Sequence, residues 1–179
     1  YPVSGNSWKR FFRNQEGLRD LRVTRGYRLS APVVEGYARA AALGGQALHV
    51  VGVDPFAEPP FRSYLATDSE LSAAVLGTLF TRPGAVLLPA DTAERYGLRS
   101  GDAFTVTAGN GVRAAVVVGL LRPADDASRR ALDGLALCDI STAQELFGME
   151  GRLSRIDLIA TQAEAEAIAA ALLAGARVA

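Results

Sequence analysis

Pro83-Gly84-Ala85-Val86-Leu87-Leu88-Pro89-Ala90-Asp91-Thr92-Ala93-Glu94-Arg95-Tyr96-Gly97-Leu98-Arg99-Ser100-Gly101-Asp102 reads as a strand, a helix and a turn in immediate succession. The short apolar run 85–88 suits a strand. A helix follows near 90–96, opening at Asp91 and stopping at Gly97, because glycine takes the positive φ that closes a helix at little cost. Gly101 has the same freedom where the chain turns back into a strand. Leu98 can tuck under that turn, and Asp102 can accept its backbone N–H groups.

Working outward, β-branched apolar runs predict strands over 18–24, 33–41, 47–53, 103–107, 112–121, 134–139 and 155–160. Ala108-Gly109-Asn110-Gly111 reads as a hairpin, since Asn-Gly supplies positive φ angles. Helix starts are marked by capping boxes, in which a hydroxyl and a carboxylate or amide satisfy orphan N–H groups reciprocally. Three occur: Thr67 to Glu70, Ser141 to Gln144 and Thr161 to Glu164. The first precedes Leu71, Val75 and Leu79, one apolar stripe at helical spacing. The second precedes Leu146 and Phe147 and ends at Gly148; the third opens an alanine-rich helix carrying Ile168, Leu172 and Leu173. Another helix is expected over 7–15. Strands interleaved with helices in this order predict a mixed α/β or α+β domain, its sheet partly antiparallel and its helices packed against it.

The 179 residues are 49% hydrophobic and 21% charged, enough for a real core and too apolar for disorder. Formal net charge is zero, so no whole-chain field favours nucleic acid. Residues 1–30 are locally basic, with Lys9, Arg10, Arg13, Arg19, Arg22, Arg25 and Arg28 against Glu16 and Asp20. Such an end suits a solvated face, anionic lipid or an acidic partner. No run approaches the ~20 apolar residues that cross a bilayer. The chain opens at Tyr1 without an initiator Met, and it is expected to be a piece of something longer.

Catalytic groups are sparse. His49 is the single histidine, inside the strand-like run Ala47-Leu48-His49-Val50-Val51, and Cys138 is the single cysteine, inside an apolar run. No internal disulfide or thiolate cluster is available, and a zinc site would need carboxylates for its remaining ligands. No serine sits in Gly-x-Ser-x-Gly. Gly-Asn-Gly at 109–111 lacks the following helix and the Lys-Ser/Thr pair of a phosphate loop. Asp125-Asp126 lacks the spaced oxygens of a calcium loop and is expected to begin a helical turn. Trp8 to Arg13 interleaves rings with cations, but in one helix-sized window that also suits docking on the domain or a membrane surface.

The stretch 83–102, together with Ala47-Leu48-His49-Val50-Val51-Gly52-Val53-Asp54-Pro55-Phe56 and the preceding Ala31-Pro32-Val33-Val34-Glu35-Gly36, resembles the extracytoplasmic, MacB-like periplasmic core domain of FtsX-like ABC transporter permeases. The order Ala136 to Gly148 and then Arg152 to Leu158 is similar to that family's strand–helix–strand close. The likeness covers roughly 31–160. It implies a parent held in the membrane by segments flanking this domain, on the periplasmic or extracellular side. It also implies a cytoplasmic ATPase subunit and a second permease as partners, and an envelope protein or exported substrate as the contact; no nucleic acid is expected, on the zero net charge.

The resemblance carries no catalytic residue, cofactor or metal in this domain. It gives structural roles to Gly52, Asp54, Pro55, Gly97, Leu98, Gly101 and Asp102, with Asp54-Pro55 closing a strand. Phe56, Phe61 and Tyr64, in a Pro-rich loop, are candidate partner contacts. The division expected is a basic helix and first strand over 1–30 and a core domain over 31–179, with 54–68 as a point where two lobes could part. Two rivals stay open: a small hydrolase or transferase using His49, Asp54 or Cys138, and a free-standing protein-binding module.

Overall fold

The computed structural model describes residues 6–7, 18–24, 26–27, 29–54, 57, 72–109, 111–123 and 125–175, and side chains through 170 with the exception of 6, 7, 24 and 169. Of the helix expected over 7–15, Ser7 lies in a strand and residues 8–15 fall outside this set, as do the box Thr67 to Glu70, Leu71, Pro55, Phe56, Phe61, Tyr64 and the side chains of Leu172 and Leu173.

Nine strands are present among the described residues: β1 (Asn6–Ser7), β2 (Ser30–Arg39), β3 (Ala47–Val53), β4 (Ala85–Pro89), β5 (Ala103–Ala108), β6 (Gly111–Leu121), β7 (Leu135–Asp139), β8 (Arg155–Leu158) and β9 (Ala160–Thr161). Five α-helices join them: α1 (Ala73–Thr81), α2 (Ala90–Arg95), α3 (Asp126–Leu132), α4 (Ile140–Phe147) and α5 (Gln162–Gly175). Seven strands form one sheet in the order β3-β7-β4-β6-β5-β2-β8, and β3 also pairs with β2. Six of them therefore close into a ring, with β8 extending from the outer end of β2. The pairs β3–β7 and β4–β6 are parallel, and β2–β3, β4–β7, β5–β6 and β2–β8 are antiparallel. This is the expected mixed, partly antiparallel sheet. Strands from both sides of 54–68 share it.

β2 makes the closure possible because its length lets it serve three neighbours. Val33 to Arg39 pair with β3, Ser30 to Val33 with β8, and Arg39 alone reaches Thr107 of β5. Pro32 falls just outside the β3 ladder, so its missing N–H leaves that ladder intact.

The core lies on both faces of the ring. Val34, Leu48, Val50, Val86, Phe104, Val117 and Ala136 pack on one side with Leu146 of α4 and Ile168 of α5. Val51, Val53, Leu87, Val116, Val118 and Leu137 pack on the other with Leu79 of α1 and Leu132 of α3. Alternate residues of the same strands feed the two layers, as the pleat requires.

Several expectations are corrected. Residues 18–24 are helical, ending in a wide turn over Asp20–Thr24. Leu21 is fully buried and Leu18 packs beside the same core, a three-residue spacing that a strand could not bury on one face. The box at Ser141 does not cap α4. Asp139, two residues earlier, accepts N–H bonds from Ser141 and Thr142, while Gln144 donates to the Arg152 carbonyl at 2.7 Å. A carboxylate at the strand end outcompetes a hydroxyl for the helix's orphan donors. The run 155–160 splits into β8 and β9, and β9 pairs with β1. Helix α2 opens at Ala90 after Pro89, leaving Asp91 in its first turn. The Thr161 to Glu164 box forms reciprocally at the start of α5.

Candidate functional site

Three strands bring a polar cluster onto the outer layer. In β2, Glu35 and Tyr37 are two apart and so share a face; His49 of β3 stands opposite Tyr37, and Arg155 of β8 opposite Val33. Tyr37 stacks on the His49 ring with centroids 5.0 Å apart. His49 Nε2 lies 3.4 Å from Glu35 Oε2, and the other Glu35 oxygen meets the Arg155 guanidinium. Arg155 Nε also donates to Asp157 Oδ1 at 2.9 Å. One guanidinium thus sits between two carboxylates.

Ser154 fixes the backbone beneath Glu35. Its hydroxyl accepts from the Glu35 N–H at 2.9 Å and donates to the Glu35 carbonyl, while its own N–H donates to Val33. This serine completes the β2 edge in the gap between β8 and β5.

Burial opposes the charge on Arg155, but the Glu35 hydrogen bond and the Asp157 and Glu35 charges outweigh it and hold the guanidinium above its ordinary pKa. Glu35, His49 and Arg155 border a cleft of about 290 Å³ whose far wall is Ala131 and Leu132 of α3 and Leu135 of β7. Tyr37, 71% exposed, stands out from this face beside the cleft.

The sequence-derived residues distribute differently. His49 and Cys138 lie on opposite faces of the sheet: His49 meets Glu35 outside, whereas Cys138 is fully buried with the inner core. Burial pushes the Cys138 thiol well above its ordinary pKa, so it stays protonated at neutral pH. Asp54 lies five residues along from His49, about 16 Å on an extended strand, in a separate cleft beside Asp139 and Ser141. The trio proposed for a hydrolase therefore does not converge. Gly52 is pressed against α4, where an added Cβ would fall 2.4 Å from that of Ala143. Gly97 and Gly101 adopt φ of 67° and 98°, Leu98 packs partly buried on the core, and Asp102 accepts the Arg99 N–H at 2.8 Å.

Glu35, Tyr37, Arg155 and Asp157 were not singled out from sequence. The signal available was same-face spacing, Glu35-x-Tyr37 and Arg155-x-Asp157, and it acquires meaning only once the pairing of three strands is known.

This mixed sheet with packed helices matches the fold of an ABC transporter's extracellular domain. The extracellular domain of the noncanonic ABC-type transporter YknZ from Gram-positive bacteria superposes with a TM-score of 0.53 at 13% identity, covering 86% of this chain and 74% of that one. No family profile matches. At the level of sequence, the chain is 49% identical over 140 residues to the uncharacterized ABC transporter permease protein Rv0987 of Mycobacterium tuberculosis, so it is a homologue of part of an ABC transporter permease. The match takes in 78% of this chain and 16% of that relative, which is far longer. The resemblance to ABC permeases drawn from 31–56 and 83–102 is borne out. Among the described residues, no helix is long and apolar enough to cross a membrane.

Proposed function

We propose that this chain is the outer-side domain of an ABC transporter permease, contacting an exported substrate or envelope partner and passing on ATP-driven motion of flanking membrane helices. The observation that carries the reading is the 49% identity to an ABC permease segment, with the YknZ domain's fold as support. A sheet closed into a ring by hydrogen bonds is stiff, and a relay must move as a unit between discrete positions. Energy would come from a cytoplasmic ATPase subunit, and a second permease would complete the complex.

In this reading the domain does no covalent chemistry. Glu35, the carboxylate nearest His49, is engaged by Arg155, which lowers its worth as a proton acceptor. The working surface proposed is the Tyr37–His49 stack above that ion pair, because exposed aromatics on a rigid sheet are common anchors of protein contacts. Phe56, Phe61 and Tyr64 are proposed as further contacts.

The test places a photo-crosslinking residue at Tyr37 in the full-length permease, assembled with its ATPase in membranes. Adducts with an exported molecule or envelope protein, changing in yield when ATP is added, are expected. Absence of adducts in every nucleotide state, or a full-length reading frame without membrane spans flanking this region, overturns the reading.

A further inference from the structure

The inside of the strand ring is not filled. Leu48 of β3, Ala136 of β7, Val86 of β4, Ala115 of β6 and Phe104 of β5, five consecutive strands, line one cavity of about 240 Å³, and Leu146 of α4 closes its side. None of these six residues is more than 7% exposed, so the lining is core, yet it borders an open volume. Small side chains keep it open. Ala115 and Ala136 occupy wall positions that a leucine would fill, and Gly84 and Ala114 stand at the rim. Apolar surface facing a void forfeits the dispersion contacts that close packing provides, so an unfilled interior of this size costs stability.

The cavity has a polar mouth. Arg113 projects from β6, and Thr142 and Glu145 come from α4. A cation, an anion and a hydroxyl at the rim of an apolar chamber can orient a ligand's polar end while the chamber takes its body. A dry apolar cavity of roughly 150 Å³ already admits benzene, so this one has room for a longer aliphatic or aromatic body.

The geometry points to a binding site for a small apolar molecule with an uncharged polar head, its body inside the strand ring and its head between Arg113, Thr142 and Glu145. An alcohol or amide head can accept from Arg113 and donate to Glu145. A carboxylate is attracted by Arg113 but repelled by Glu145, and an ammonium the reverse, so neither gains over a neutral head that both side chains can bond. This inference goes beyond the transport reading and stands on the domain alone: occupancy requires neither ATPase nor membrane.

The experiment titrates the 179-residue chain with n-octanol, octanoate and octylammonium at neutral pH, following heat release, Tm and the methyl resonances of Ala115 and Ala136. Saturable n-octanol binding that raises Tm and shifts both methyls is expected, with each charged analogue weaker by about tenfold. Ala115→Leu and Ala136→Leu, which fill the chamber, should each weaken n-octanol by about tenfold or more while the free variants keep a Tm near the parent's. The proposal fails if n-octanol does not saturate, if the two methyls do not move, or if a charged analogue binds more tightly. The methyl shifts read the site without substitution, so they decide the matter even if a leucine variant does not fold.

Discussion

Strands β2 and β3 present two faces that were solved in opposite ways. On the inner face, Gly36 and Gly52 carry no side chain, and α4 lies directly on the backbone: a Cβ at Gly36 would come within 2.7 Å of the Phe147 ring, and one at Gly52 within 2.4 Å of Ala143. On the outer face, one residue along, Glu35, Tyr37 and His49 hold out long polar side chains that reach β8 and solvent. At these two glycines the inner face is specified by the absence of atoms. The outer face is specified by pairing of charges and can lose a ring at its rim with little loss of structure. The proposed relay would use the first kind of surface for rigidity and the second for contact.

The strongest way to break the contrast is Gly52→Val. Its branched side chain must displace Ala143, and the helix cannot shift alone because Asp139 caps it at the end of β7. Overpacking of this kind is expected to cost about 3 kcal/mol, read as a lower denaturant midpoint at unchanged slope. Ala143→Gly in the same chain should recover part of the loss. Tyr37→Ala, on the outer face of the neighbouring strand, should change stability by less than about 0.5 kcal/mol. Equal costs at the two positions would erase the distinction.

A smaller effect is expected for Arg155→Ala. The side chain is 12% exposed, and its removal takes away the guanidinium that both Glu35 and Asp157 contact. Fully buried pairs lose 3–5 kcal/mol when one partner is removed, but Glu35 keeps 26% of its side-chain surface in water, so about 2 kcal/mol is expected. Arg155→Met with Glu35→Gln, which removes the charge as well as its partner, should be less damaging than Arg155→Ala alone. Denaturant unfolding of the three chains checks it, and a double variant worse than the single would mean that Glu35 stabilises the fold through contacts other than Arg155.

Much of the inner architecture could be read locally, and the outer cluster could not. The strand at 47–53, the hairpin joining β5 and β6, the box at Thr161 and the stop at Gly97 are each set by residues within a few positions of one another. Ring closure depends on β3 meeting both β2 and β7, the latter about eighty residues away, and no local pattern records that. At 18–24 the β-branched and basic composition pointed to a strand, while the spacing of Leu18 and Leu21 was helical and prevailed through burial. The sequence places Asp139 at the end of a strand, where it lies, and that placement also makes it the cap of α4. Glu35, Arg155 and Asp157 meet only through register between strands far apart in the chain.

The gentlest probe of the comparison is pH, because a different kind of aspartate caps each layer's helix. Asp139, capping α4 inside, is buried; Asp125, capping α3 above the outer cleft, is open to solvent. Hydrogen bonds from the Ser128 backbone N–H and hydroxyl hold the Asp125 carboxyl below its ordinary pKa. A carboxylate whose folded pKa is depressed stabilises the fold above its unfolded value, near 3.8, and that contribution is lost as pH falls through the folded value. Asp125→Asn keeps an oxygen to accept the Ser128 N–H but cannot titrate. At neutral pH the variant should therefore be slightly less stable than the parent, and the gap should narrow as the pH drops from about 4 toward 2. Melting curves across that range read the difference directly. A gap that stays constant into acid would mean that the charge of Asp125 adds nothing to its hydrogen bonds.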